Sequence, residues 1–430
     1  MAAPPIPSLV LSFEDARRVV EDHASHLTPG ASETVSPLHA AGRVLAEPIA
    51  ADRDIPPFPR STRDGYAVHA ADLATLPAIL KVIGEIKAGP SQIPPPLNRG
   101  EAYSIMTGAP MPQGADAVVM VEYTSPQEHS VEVKKGVSSG ENIVPQGAEA
   151  ARGSLLLERG TPLNEAAIAL AASVGKSQLK VFVRPRVAVL TTGDEIVDVN
   201  TEPGPSQIRN SNSYSLAAQI QKAGGEPVLL PIAPDEPRRL RQLIEEGLQS
   251  DLLIMTGGVS MGRYDLVEQV LAELQAEFFF TGAKIQPGKP VVFGRVNSWR
   301  SGCLTRSGAT AAASKHDQHK YFFGLPGNPV STMVTFELFA RPMLEALSGL
   351  LPRPLTFLHA RLKSDIRVKT GLTRFLPAIL SGNYEDSHAE PVPWQGSGDI
   401  AARTRANCYI VVPSDREHIL AGEWIAVLQQ

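Results

Sequence analysis

Cysteine is nearly absent from this chain. Cys303 and Cys408 are the only two in 430 residues and stand in segments of different character. That excludes a disulfide framework, a zinc knuckle and an iron–sulfur site, and leaves two inert thiols. An excess of basic residues is also missing: 40 Lys and Arg face 45 Asp and Glu, for a formal net charge of -5. With no basic domain or stripe, nucleic acid is not an expected partner, whereas small phosphorylated ligands remain compatible. No run reaches the roughly eighteen uninterrupted apolar residues that a membrane span needs. The first ten residues lack a basic region followed by an apolar one, so they do not read as a signal peptide and the cytoplasm is the expected location. What is present is ordinary for a globular protein, 43% hydrophobic and 20% charged residues. The length is too great for one core, so two to four domains are expected.

The pattern along the chain predicts a multidomain α/β protein. Ser12, followed by Glu14 and Asp15, opens a helix running to about Leu27. The prolines of Ile55-Pro-Pro-Phe-Pro59 mark a boundary. Beyond it, short apolar segments such as Ile79–Ile83 and Ala117–Val121, separated by Gly and Pro, read as a β-rich insertion. Asn164–Ser173 reads as a helix ending at Gly175. From Val187 onwards, apolar strands alternate with amphipathic helices at about Asn212–Ala223, Glu236–Leu248 and Tyr264–Leu274. This predicts right-handed βαβ units and a central three-layer α/β/α domain with a mostly parallel sheet. After Gly349 the helices stop and a small separate β-domain is expected. The resulting division is a helical N-terminal domain in two segments, 8–54 and 151–182, an inserted β-rich domain, 55–150, a central domain, 183–348, and a C-terminal β-domain, 349–430. The polar run 297–320 reads as a long loop whose two histidines are solvated rather than metal ligands.

Three glycine-rich turns follow apolar strands in the central region. In Leu190-Thr-Thr-Gly-Asp-Glu195, Thr192 and Gly193 can offer hydroxyl and amide to anionic oxygens. Asp194 and Glu195 beside such a site would repel the anion unless a divalent cation lies between, and Mg2+ takes oxygens from both; the alternative is a helix cap with a solvated neighbour. In Thr256-Gly-Gly-Val-Ser-Met-Gly262, Gly257 and Gly258 expose backbone amides and Ser260 adds a hydroxyl. Asp265, just beyond, either binds metal or caps the next helix. The spacing matches neither a Walker motif nor a dinucleotide fingerprint. In Gly324-Leu-Pro-Gly-Asn-Pro329, Pro326 stiffens the turn, Gly327 permits close approach, Asn328 caps and Pro329 opens a helix whose amides form an anion pocket.

Other candidates are individually ambiguous. Asp235 stands at a loop-to-helix transition, and Lys284 and Lys289 flank the stiff turn at Pro287, as ligand or surface cations. Asp64, in Ser61-Thr-Arg-Asp-Gly-Tyr66, has a turn-forming reading, and Thr107 in Met106-Thr-Gly-Ala-Pro110 is equally open. No Ser-His-Asp or Cys-His arrangement presents itself, which favours electrostatic and metal-assisted transfer over covalent catalysis.

The order of Ser61–Val68, Met106–Pro110, Thr191–Glu195, Thr256–Ser260, Pro287-Gly-Lys-Pro290 and Gly324–Pro329 resembles, over nearly the full length, the molybdopterin molybdenumtransferase family, which includes the C-terminal domain of gephyrin. The resemblance implies a molybdopterin-binding central domain and an elongated homodimer with clefts between subunits. It implies insertion of molybdate into adenylylated molybdopterin with Mg2+ present and release of AMP. It carries catalytic roles to Asp64, Thr107, Glu195, Asp235, Asp265 and Lys284 or Lys289, with Glu195, Asp235 and Asp265 positioning metal. The Gly257-Gly258 and Pro326–Pro329 loops would grip the ligand. Molybdopterin adenylyltransferase and molybdoenzyme apoproteins are the implied partners. Two alternatives stand beside this reading: the adenylyltransferase itself and a non-enzymatic gephyrin-like scaffold. Glu149 departs from the family pattern, and the 297–320 run is longer than the family's connection.

Overall fold

A computed structural model describes residues 9–89, 95–257, 266–297, 319–351 and 353–429. The chain forms two compact units, one of residues 1–34, 42–46 and 180–430, the other of 35–41 and 47–179.

The larger unit is built on a six-stranded sheet ordered Glu226–Leu229, Arg186–Thr191, Leu252–Thr256, Lys320–Leu325, Val292–Val296 and Ala276–Phe280. The first four strands are parallel and only Val292–Val296 runs against its neighbours. Alternation along the strands sorts side chains to two faces. Val187, Val189, Ile254 and Phe323 share one core with Leu216 and Ile220 of the helix Asn212–Lys222 and with Val330 and Val334. Ala188, Leu190, Leu253, Met255 and Phe322 pack oppositely on Leu240, Leu243 and Ile244 of Pro237–Gly247 and on Val267 and Val270 of Leu266–Glu273. Each fully buried aliphatic or aromatic side chain contributes about 1.5–3 kcal/mol, so both helical layers are held chiefly by apolar burial.

The first helix, Phe13–Ser25, begins where the sequence places it, with Ser12 Oγ accepting the Asp15 amide at 3.0 Å. Its Phe13, Ala16 and Val20 join the first of these cores. The C-terminal strands Thr373–Gly382, Ser387–Pro391, Phe357–Leu362, Trp424–Gln429 and Cys408–Val412 close into a barrel through pairing of the first with the last. The barrel packs on the central core through Phe375, Tyr409 and Leu428, and Ile285–Gln286 pairs along Thr373–Arg374. One expectation is corrected here: helices do not stop at Gly349, since Ile400–Arg405 is helical, capped by Asp399, whose carboxylate accepts the Ala402 amide at 2.9 Å.

The smaller unit carries a six-stranded sheet ordered Ala117–Met120, Gly65–Val68, Glu101–Ile105, Ala78–Ile86, Ser130–Val133 and Thr124–Pro126. It also holds the helix Glu165–Ser173, capped by Asn164 and followed by Gly175 at positive φ. Among the described residues no helix is long and apolar enough to cross a membrane.

Candidate functional site

Because Thr191, Thr256 and Leu325 pair in register on parallel strands, the three turns predicted from sequence leave the same edge of the sheet. Two strand spacings separate the outer turns, about 10 Å. This is the edge where α/β proteins gather ligands.

The turns are tied together by hydrogen bonds made at strand ends. The Thr192 amide donates to Thr256 O at 3.0 Å and the Gly193 amide to Ala233 O at 3.2 Å. Gly257 has a φ of +86°, and a Cβ there would collide with the carbonyl oxygen of Thr192, so this position requires glycine. Gly327 makes no such demand, since its Cβ would meet only Gly257 Cα at 3.6 Å. Asn212, which sequence reasoning missed, is the central tie. Its buried amide donates to Thr256 Oγ1 at 3.0 Å and to Gly327 O at 2.7 Å, and Thr256 Oγ1 donates to Pro326 O at 3.1 Å. The cluster Asn210-Ser-Asn212 ahead of an amphipathic helix was the available signal. Thr192 Oγ1 is buried without a hydrogen-bond partner among the described residues, a donor left for something else.

Acidic groups collect on the first turn. Asp194 and Glu195 are exposed, and Asp194 Oδ1 accepts the Asp235 amide at 3.1 Å. Partial desolvation, with the charges of Asp194 and Glu195 nearby, pushes the exposed Asp235 carboxyl above its ordinary range. The structure therefore brings Asp235 to Asp194 and Glu195. Among the described residues no three acidic, histidine or cysteine side chains form a finished metal cage. Gly258, Ser260 and Asp265 lie outside the described residues.

Cationic groups collect on the other side. A cavity of about 330 Å³ lies between the turns at Pro287 and Pro326 and the barrel, with Lys289, Ser331 and Ser397 on its wall. Lys284, also exposed, is not on that wall and instead uses its backbone to join Leu11 and Thr373. Beside the cavity, the buried Arg374 donates to Gln286 Oε1 at 2.9 Å and to Leu372 O at 3.1 Å, both neutral. Burial lowers its pKa, and the two partners named here, Gln286 and Leu372, are both uncharged at those atoms. Arg374 and Ser397 escaped the sequence reading because they lie in the barrel, far along the chain.

The third turn corrects one expectation. Asn328 stands at the N-cap of Pro329–Thr335 but its side chain makes no cap; it donates to Ser397 Oγ at 2.9 Å. The Val330 amide is taken by Ser397 O at 2.9 Å, so one amide of this helix start is held by the barrel, while Asn328 and Ser331 line the cavity described above.

In the smaller unit, Asp64 Oδ1 accepts both the Thr107 amide at 2.7 Å and Thr107 Oγ1 at 2.9 Å, and these bonds hold its carboxyl below the usual range. Ser61 Oγ closes the local turn onto Arg63. Glu149 pairs with Arg60 at 2.9 Å in an exposed contact. Cys408 is buried, with its thiol raised to about 11, and His319 is exposed; Cys303 and His316 lie outside the described residues.

The family described as "MoeA N-terminal region (domain I and II)" matches residues 11–175, "Probable molybdopterin binding domain" matches 188–346, and "MoeA C-terminal region (domain IV)" matches 359–429. The chain is 35% identical over 408 residues to a molybdopterin molybdenumtransferase from Nostoc, covering 93% of this chain and 88% of the relative. It is 32% identical to the protein of that name from Bacillus subtilis, covering 93% and 90%. A solved molybdopterin biosynthesis moeA protein from Pyrococcus horikoshii superposes with a TM-score of 0.77 at 27% identity, covering 98% of this chain and 100% of that one.

Proposed function

The chain belongs to the molybdopterin molybdenumtransferase family and is an enzyme, and from that premise we propose that it inserts molybdate into adenylylated molybdopterin with Mg2+ present, releasing AMP. The observation that carries the reading is the presence on this side of the protein of an acidic group, Asp194, Glu195 and Asp235, and of a cavity that carries Lys289, with Arg374 bonded to Gln286 of its wall.

That combination suits two anions that must meet. Molybdate and a phosphate-bearing ligand repel each other, and the guanidinium of Arg374 with the ammonium of Lys289 offsets that repulsion on one side. Ser331 and Ser397 supply hydroxyls to fix oxygens there. On the other side, Glu195 and Asp235 present an oxygen-only donor set that fits Mg2+, and the raised Asp235 carboxyl marks a cluster that a cation would relieve. Glu195 and Asp235 would hold the ion, with Asp265, which lies outside the described residues, as the third expected ligand. When bound, Mg2+ supplies counter-charge for the phosphoanhydride and for AMP as it leaves. Thr192 and Gly193 orient the ligand where the Thr192 hydroxyl lacks a partner. The backbone at Gly257 and Gly327, tied by Asn212, sets the shape of the turns.

By the same resemblance we place Asp64 and Thr107 at the cleft of a homodimer, reaching the site from a second subunit, in the cytoplasm. Molybdopterin adenylyltransferase would deliver the substrate and molybdoenzyme apoproteins would receive the product. The deciding measurement is AMP release from adenylylated molybdopterin by purified protein. Release that requires both molybdate and Mg2+ supports the proposal. Binding without release, under conditions in which a known family member turns over, favours a scaffold.

A further inference from the structure

The cavity at Lys289 is larger and less polar than a small oxyanion needs. Lys289, Ser331 and Ser397 account for its charge and hydroxyls and Gln286 and Asn328 for its amides, but Pro287, Pro326 and Trp394 are among the apolar residues of its wall. Trp394 is half-buried and packs partly on the central core. Its segment is pinned at both ends: the Val392 amide donates to Pro377 O at 2.9 Å, and the Gln395 amide to Asp399 Oδ2 at 3.0 Å. Ser397 O is held by the Val330 amide. The Asp399 carboxylate also caps Ile400–Arg405, and these bonds keep it below the usual carboxylate range. These bonds fix the backbone on either side of Trp394, whose side chain packs partly on the core.

A bare oxyanion gains nothing from such a wall, because the face of an aromatic ring carries partial negative charge; a second planar ring gains from offset stacking. We propose that Trp394 is a specificity-determining residue that stacks on a planar heteroaromatic ring of the ligand, so that the cavity selects ring-bearing phosphates over ring-free ones. The proposal rests on the reading of this cavity as the anion pocket given above. Adenine and pterin share the required chemistry, and separate ligands distinguish them.

The test titrates full-length wild type, Trp394→Leu and Trp394→Phe with AMP, a pterin monophosphate and ribose 5-phosphate by calorimetry. Wild type is expected to bind at least one ring-bearing phosphate about 2- to 12-fold more tightly than ribose 5-phosphate. Trp394→Leu should lose that preference, Trp394→Phe should keep most of it, and ribose 5-phosphate should bind all three alike, which also reports folding. In a Trp299→Phe, Trp424→Phe background, the preferred ligand should quench the fluorescence of Trp394 saturably. A wild type without ring preference, or a preference that survives in Trp394→Leu, overturns the proposal alone. Failure of wild type to bind any of the three overturns the anion-pocket reading and this proposal with it.

Discussion

The carboxylate of Glu195 folds back over the α-carbon of Gly193, so closely that a Cβ at 193 would collide with it. Gly193 also has a φ of +133°, where a side chain is strained. Gly193→Ala should therefore displace Glu195 and lower kcat for AMP release by about tenfold or more, roughly 1.4 kcal/mol of barrier. Glu195→Gln should lower turnover with unfolding free energy unchanged within about 0.5 kcal/mol. Steady-state kinetics beside urea melts check both; full turnover by Glu195→Gln at saturating Mg2+ removes Glu195 from the catalytic set.

Asn212 satisfies Thr256 Oγ1 and Gly327 O at once from a buried position. Asn212→Ala leaves buried polar groups short of partners, and a loss of about 1–3 kcal/mol in stability is expected. Denaturant unfolding measures it. A loss confined to activity would mean that the tie serves the loops without supporting the sheet.

Asp235 sets a pH signature. Its folded pKa is raised, so it favours the native state at pH below its unfolded value near 3.9 and penalises that state as pH rises through the folded value. Asp235→Asn removes this penalty: relative to wild type the variant should gain stability between acid pH and pH 7. Mg2+ should raise the wild-type Tm more than the variant's. Melting curves across pH, with and without Mg2+, decide it, and equal Mg2+ shifts in both proteins remove Asp235 from the metal set.

Asp64 has the opposite sign. Hydrogen bonds from Thr107 depress its folded pKa, so their support of the turn is present above the unfolded value near 3.9 and is lost as pH falls through the folded one. Asp64→Ala should accelerate hydrogen exchange at the Thr107 amide at neutral pH. Unchanged exchange would show that the turn holds without Asp64.

Cys408 should resist alkylation in the native protein at pH 8, since burial holds its thiol near 11 and little thiolate forms. Peptide mapping after brief treatment should find Cys408 modified only once denaturant is added.

Positions whose behaviour depends on near neighbours were legible in the sequence. Ser12 caps the helix it precedes, and the apolar runs before Thr191, Thr256 and Leu325 are parallel strands ending on one edge. Asn328 misled because its side chain makes no cap and its amide nitrogen donates instead to Ser397, a residue distant in the chain. The helix Ile400–Arg405 was hidden by the β pattern around it, although Asp399 announces it.

The sequence alone determined the alternation of strands and helices, the glycine turns and their order, because each depends on periodicity and backbone freedom over a few residues. Tertiary structure alone decided which polar groups meet: Asn212 with Gly327, Gln286 with Arg374, Asn328 with Ser397, and Lys289 rather than Lys284 on the cavity wall. Those pairings join segments far apart in the chain, and only burial of the apolar layers between them brings their donors and acceptors within reach.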